Sequence, residues 1–138
     1  MTDALLVPPV PVIDPDSAGY WESLKHGTLA VCRCTACRAY MHPPLEVCRH
    51  CAAPTVVEPV SGRGSVFSFI VVQRAMIPGF PTPYVIALIE LAEQKGLRMS
   101  GILNSDPSEV SIGMPVQVSV GEIGQSGILG PSFESVTE

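Results

Sequence analysis

Charge is scarce in this chain. Only 15% of its 138 residues are charged, and eight Lys and Arg face thirteen Asp and Glu for a net charge of −5. The cations are scattered, so the positive field that nucleic-acid backbones require is missing. Long apolar runs are missing too. The longest, Tyr84-Val85-Ile86-Ala87-Leu88-Ile89, stops at Glu90, far short of the ~18–20 residues that cross a bilayer. The opening "MTDALLVPPVPVIDPD" has no basic n-region, so it does not resemble a secretory signal, and the expected location is cytoplasmic. No histidine follows His50, and there is neither a Gly-x-Ser-x-Gly elbow nor a phosphate-binding loop with its lysine. A nucleophile needs a base within reach. The carboxylates Glu90, Glu93, Asp106 and Glu109 fall on edges or loops, where they are ordinarily solvated. The expectation is a chain with no catalytic residue of its own. So little charge also implies apolar surface for a partner to cover.

Cysteine is what the chain has instead. Five cysteines crowd into residues 32–51, and four form the pattern Cys34-x2-Cys37-x10-Cys48-x2-Cys51. In a reducing compartment such crowding points to a metal rather than disulfides. Each CxxC turn delivers two thiolates to one point, and two turns complete a tetrahedron suited to one zinc ion, with iron the alternative. A closed four-sulfur site is structural, since catalysis by zinc needs an open position. Cys32 can replace Cys34 through a C-x-C-x2-C shift, but Cys34 gives the regular spacing. His42 and His50 are further candidate ligands, each expected to be solvated or packed instead.

Around this cluster the chain divides into three expected parts: an arm and short helix over 1–28, a ribbon over 29–55, and a barrel with a C-terminal tail over 56–138. Residues 1–15 hold four of the fourteen prolines and read as an extended apolar arm. In "DSAGYWESLKHG", Asp16 or Ser17 can cap a helix over about 16–26 and Gly27 can end it, with Tyr20, Trp21 and Leu24 on one face. "TLAVCRC" is strand-like. Beyond Cys51, short β-rich segments at 56–60, 64–73, 83–92, 97–103 and 116–120 predict a five-stranded Greek-key barrel, with the OB-fold the leading candidate. "SGRG" (61–64) should bend sharply and "EQKG" (93–96) should turn. Glycines 62, 64, 101 and 113 should mark the kinks that close the barrel. The loop at 105–116 has room for one helical turn. Phe67 and Phe69, two apart on a strand, should both face the core.

Knuckles after a "YWESL" helix, followed by "SGRGSVFSFIVVQRA", "PYVIALIEL" and "IGMPVQV", resemble the family once catalogued as domain of unknown function thirty-five. The likeness runs from about Gly19 to Val120. One departure is visible: Arg38 and Ala52 stand where family knuckles often place glycine. The resemblance implies a rubredoxin-like zinc ribbon joined to an OB-fold, in a non-catalytic subunit of a thiolase-superfamily acyl-CoA enzyme. It implies that the OB-fold helps to form or close the acyl-CoA site. Retro-aldol shortening of a steroid-type side chain is the preferred setting; acyl transfer and acyl-CoA hydration are the alternatives. Arg63, Arg74 and Arg98 are candidate contacts to CoA phosphates. In "AMIPGFPTP", Met76, Ile77 and Phe80 are candidate partner or channel contacts, because large apolar side chains on a loop imply a covered surface. Two rivals are a single-stranded nucleic-acid module using Phe67 and Phe69 as a platform, and an iron redox protein of rubredoxin type.

Overall fold

The computed structural model describes residues 9–74 and 79–136. Among the described residues one α-helix, α1 (Ala18–Lys25), leads into a three-stranded sheet of β1 (Ala30–Cys34), β2 (Tyr40–Met41) and β3 (Thr55–Pro59), in the order β2-β1-β3. A closed barrel follows, formed by β4 (Arg63–Val72), β5 (Tyr84–Leu91), β6 (Arg98–Asn104), β7 (Pro115–Glu122) and β8 (Leu129–Ser135), in the order β4-β5-β6-β8-β7. The mainly-β class, with one short helix and a five-stranded OB-type barrel, is as the sequence predicts.

Two expectations about strand membership fail. The segment at 56–60 is not a barrel strand; it pairs antiparallel with β1 along its whole length, from Ala30↔Pro59 to Cys34↔Thr55. The fifth barrel strand is β8, in the stretch expected to be a tail. It runs antiparallel to β7 over seven residue pairs and touches β6 in parallel only at Leu103↔Phe133 and Asn104↔Glu134.

The helix starts where expected, but by a different cap. Ser17 occupies the N-cap position without a side-chain cap bond. Instead Asp14 Oδ1 accepts from the Ser17 amide at 2.8 Å, while Ser17 Oγ accepts from the Asp14 amide, a reciprocal clasp one turn upstream. Gly27, at φ 77°, ends the helix. Tyr20 and Leu24 are buried, and Trp21 meets Tyr20 edge-on at 5.1 Å.

One core joins the parts. Tyr20 and Leu24 of α1, with Leu29 and Val31 around β1, pack into the same cluster as Val85, Ile89, Leu103 and Phe133 of the barrel. A smaller cluster of Cys32, Cys34, Met41 and Cys48 underlies the cysteine site. The seam is also hydrogen-bonded: the Gln94 side chain accepts from the Tyr40 amide at 2.9 Å and donates to its carbonyl at 3.1 Å. "EQKG" is thus both the β5–β6 turn and the barrel's clasp on the ribbon.

At Gly62 the backbone takes φ 78°, and a Cβ would overlap Val118; the "SGRG" bend demands glycine on both counts. The loop before β7 contains a single 3-10 turn, Pro107–Glu109, capped by Asp106, whose Oδ1 accepts from the Ser108 amide.

Phe67 does not face the core. The register of β4 against β5 shifts between Val66 and Ser68, a bulge that breaks the two-residue alternation. Val66, Phe69 and Val71 pack inward, while Phe67 is 43% exposed. The Arg98 guanidinium lies 3.6 Å from its ring centroid, so the face a stacked base would use is taken by a cation.

Candidate metal centre and surrounding surfaces

The four predicted cysteines converge. The sulfurs of Cys34, Cys37, Cys48 and Cys51 all lie within 4.8 Å of one another, with Cys34–Cys51 at 3.5 Å and Cys37–Cys48 at 3.7 Å. A tetrahedron with arms of ~2.3 Å has edges of ~3.8 Å, so the donor set fits a four-coordinate soft metal. Each knuckle also aims amides at sulfur: Ala36 and Cys37 N–H donate to Cys34 Sγ, and His50 N–H donates to Cys48 Sγ, each at 3.3 Å. These donors favour the thiolate.

The thiols respond accordingly. Burial acts to raise Cys34, but the Cys37 and Ala36 amides and the neighbouring sulfurs outweigh it, bringing the group to about 6. Cys48 is lowered chiefly by the His50 amide, against its burial. Cys37 moves up to about 11: the Ala39 amide lowers it, and the sulfurs of Cys34, Cys48 and Cys51, together with burial, prevail. Four thiols this close cannot all ionise without a cation among them.

Cys32 is not in the group. Its Sγ is buried and meets the Leu45 carbonyl at 3.4 Å. Among the described residues, neither His42 nor His50 joins the converging set. The His42 ring instead sits 5.4 Å from that of Tyr20, and burial lowers its pKa.

Arg38 and Ala52, which replace the customary glycines, adopt φ 65° and 63°. The knuckles keep their geometry at the cost of a left-handed residue each. Arg38 has compensation: its Nη2 donates to Glu58 Oε1 at 2.9 Å, and its carbonyl accepts from Arg33 Nε at 2.8 Å. Ala52 offers no side-chain bond. Ala52→Gly should therefore raise stability by about 0.5–1 kcal/mol in thermal unfolding. Arg38→Gly should bring no gain, because it removes the tie to Glu58.

Glu58 escapes motif logic, because nothing in its spacing marks it. Its carboxylate bridges Arg33 at 3.1 Å and Arg38 at 2.9 Å, fastening the first knuckle to β3. Hydrogen bonds from Arg33 and then Arg38 hold its pKa below the usual 4.5. With the folded value depressed, the pair stabilises the fold above that pH and fades as pH falls through the folded value. The stability difference between wild type and Glu58→Gln, followed by thermal unfolding, should be present at neutral pH and shrink as pH falls below 4.5 and through the depressed folded value. Metal content is followed alongside, so that acid release of the ribbon's metal is separated from the titration of Glu58.

The structure does not gather the three candidate arginines. Arg63 starts β4 and Arg74 follows its end, and ten residues of strand separate them by about 30 Å. Arg63 and Lys95 line a cleft of about 450 Å³ beside Gly64 and Glu90. Among the described residues neither cation is in an ion pair. Arg98 is committed, pairing with Glu90 at 3.3 Å and covering Phe67. Of the loop candidates, Met76 and Ile77 lie outside the described residues. Phe80 stacks on Tyr84 at 5.5 Å and lines a groove of about 610 Å³ with Ile102, Ile123 and Pro131. Gly101, Gly121 and Gly130 also line the groove; of these the sequence pattern marks only Gly101, as a kink.

A four-cysteine ribbon and a closed OB barrel, fused over one core, define a zinc-ribbon/OB-fold protein. The family comparisons agree in detail: residues 21–57 match the model described as ChsH2, rubredoxin-like zinc ribbon domain, and residues 57–121 match ChsH2, C-terminal OB-fold domain. The chain belongs to this DUF35 family. It is 35% identical over 113 residues to a DUF35 domain-containing scaffold protein of Methanocaldococcus jannaschii, covering 78% of each chain. It is also 42% identical over 106 residues to the 3-oxo-4,17-pregnadiene-20-carboxyl-CoA hydratase alpha subunit of Mycobacterium tuberculosis, covering 75% of this chain and 33% of that one. A probable enoyl-CoA hydratase alpha subunit of Thermomonospora curvata is 39% identical over 110 residues, or 78% of this chain and 34% of that one. The chain thus spans about a third of these two subunits. Among solved structures, one described as an Ltp2-ChsH2(DUF35) aldolase superposes with TM-score 0.84 and 35% identity, over 93% of this chain and 100% of that one.

Proposed function

We propose that this chain is a non-catalytic accessory subunit of a thiolase-superfamily acyl-CoA enzyme, held together by one structural zinc ion bound to Cys34, Cys37, Cys48 and Cys51. The observation that carries this reading is its near-complete superposition on the matched chain of the Ltp2-ChsH2(DUF35) aldolase. The preferred reaction for the assembly is retro-aldol cleavage of a steroid-type side chain carried as a CoA thioester. The partner supplies the bond-breaking groups, and this chain helps to shape the acyl-CoA site. The ribbon, extended by β3 beyond the span expected from the sequence, serves as a rigid mount for a barrel that β8 completes. Of the candidate CoA contacts Arg63 is the best supported, because it lines a cleft with Lys95, neither is in an ion pair among the described residues, and the Glu90 of that cleft is already paired with Arg98. Arg74 is also exposed, whereas Arg98 is already paired. Phe80, with Met76 and Ile77 of the same loop, is assigned to the partner-facing or channel side.

The test is reconstitution with a thiolase-like subunit and a β-hydroxyacyl-CoA substrate. Co-elution is expected, with cleavage that requires both chains. A partner fully active alone, or one that never co-elutes with this chain, would overturn the proposal. A hydratase setting has its own support, in the hydratase alpha subunits named above. Co-elution with a hydratase subunit, accompanied by hydration instead of C–C cleavage, would select it.

A further inference from the structure

Strand alternation puts a second apolar layer on the outside of the barrel. On β5 the buried residues are Val85, Ala87, Ile89 and Leu91, so Tyr84, Ile86, Leu88 and Glu90 face outward. The register then aligns outward residues across three strands. Ile70, Ile86 and Ile102 form one row; Ser68, Leu88 and Ser100 form the next. Ile70 is 60% exposed and Phe67, turned out by the bulge, 43%. Glu90 and Arg98 end the face, and they neutralise each other at 3.3 Å. A row of three isoleucines with no unpaired charge is unusual for water-facing strands, where one polar face is the rule for a sheet packed on one side.

We propose that this outer face of β4–β5–β6, centred on Ile70, Ile86 and Ile102, is the surface on which the larger enzyme subunit docks. The proposal rests on the accessory-subunit reading above and names the surface that reading needs. Charge and area select the occupant. With its one ion pair internally satisfied, the face offers nothing to nucleic acid or to an acidic or basic peptide, and it fits an uncharged, apolar protein surface. Three strands about 4.8 Å apart, over four rows of alternating residues, give about 400 Å². A stable interface takes about 800 Å² from each partner, so a second copy using this face alone is held too weakly to persist. A larger partner can continue past Ile102 and Tyr84 into the groove lined by Phe80, because both residues belong to face and groove alike. That continuity supplies the missing area. It also places the docking surface beside the loop assigned to the acyl-CoA channel.

Ile70→Glu tests the assignment in the full-length chain, since a side chain this exposed can be replaced without opening the core. Val56→Glu, an equally crude change at an exposed position of the ribbon sheet, is the control. Binding to the thiolase-like subunit is measured by titration, with metal content and circular dichroism confirming the fold of each variant. Ile70→Glu should weaken binding at least about 30-fold, as loss of a central interface anchor does, and Val56→Glu should leave it within about twofold. If wild type and Ile70→Glu bind equally, the docking face is wrong while the accessory-subunit reading stands. If wild type binds no such subunit, that reading fails and the docking proposal falls with it. If wild type is a stable dimer that Ile70→Glu splits, the face belongs to a second copy and the proposal is overturned.

Discussion

Replacing Cys34 or Cys48 by serine is expected to release the metal and unfold the ribbon sheet. These two cysteines are 0% and 2% exposed and sit in the small cluster with Met41. That cluster has too few apolar side chains to stand alone, so metal ligation must carry the ribbon. Structural zinc in isolated fingers contributes about 10–16 kcal/mol, on the scale of a whole domain's net stability. Losing one of four ligands forfeits most of it. Elemental analysis should give one equivalent of zinc in wild type and little in the variants. Amide exchange should become fast in β2 and β3, while β5, buried along one face and paired on both sides, keeps its protection. Because Leu29 and Val31 belong to the barrel core, the overall melting temperature should fall as well. A metal-free wild type with unchanged stability and exchange would refute a structural zinc. A coloured protein would mark the ion as iron.

Which features were legible in the sequence follows from how local each one is. The CxxC spacing is a covalent property of two tight turns, and the four sulfurs converge as the spacing implies. α1 and the "EQKG" turn are equally local. Strand partnership is not. Residues 56–60 have the same composition as a barrel strand, and only their pairing with β1 shows that they belong to the ribbon. Phe67 misleads for a related reason: one inserted residue moves it to the outside, and a bulge leaves no mark in the alternation of Phe67 and Phe69. Arg38 and Ala52 depart from the family habit without breaking the knuckles. The strain is bearable for one residue, and at Arg38 a carboxylate from β3 offsets it. Residue type alone marks the arginines, and type does not show that Arg63 and Arg74 flank opposite ends of β4 or that Arg98 already has its partners. The outer isoleucine row could be seen only after the register was known.

Phe133→Ala should produce the second large effect. Phe133 is fully buried and sits where β8 meets β6 in parallel, opposite Leu103. Its ring lies over Gly101, whose absent Cβ would come within 3.0 Å of it; the glycine makes room for the phenylalanine that shuts the barrel. Removing a buried ring costs about 3–5 kcal/mol. For a chain of this length that lowers the melting temperature by about 10 °C or more. β8 looks unlike a strand because it carries Gly130 and Pro131. Proline has no N–H to give; Pro131 stands opposite Val120 of β7 and lies outside the two-residue stretch that pairs with β6. β8 therefore closes the barrel with a side chain more than with hydrogen bonds, and the seam should depend on Phe133 beyond the ring's transfer energy alone. Phe133→Leu, which refills part of the volume, should recover about half of the loss. Truncation before Leu129 should be worse than Phe133→Ala, because it also strips β7 of its partner along seven residue pairs. Equal stability of wild type and Phe133→Ala in thermal unfolding would mean that the barrel closes without this ring.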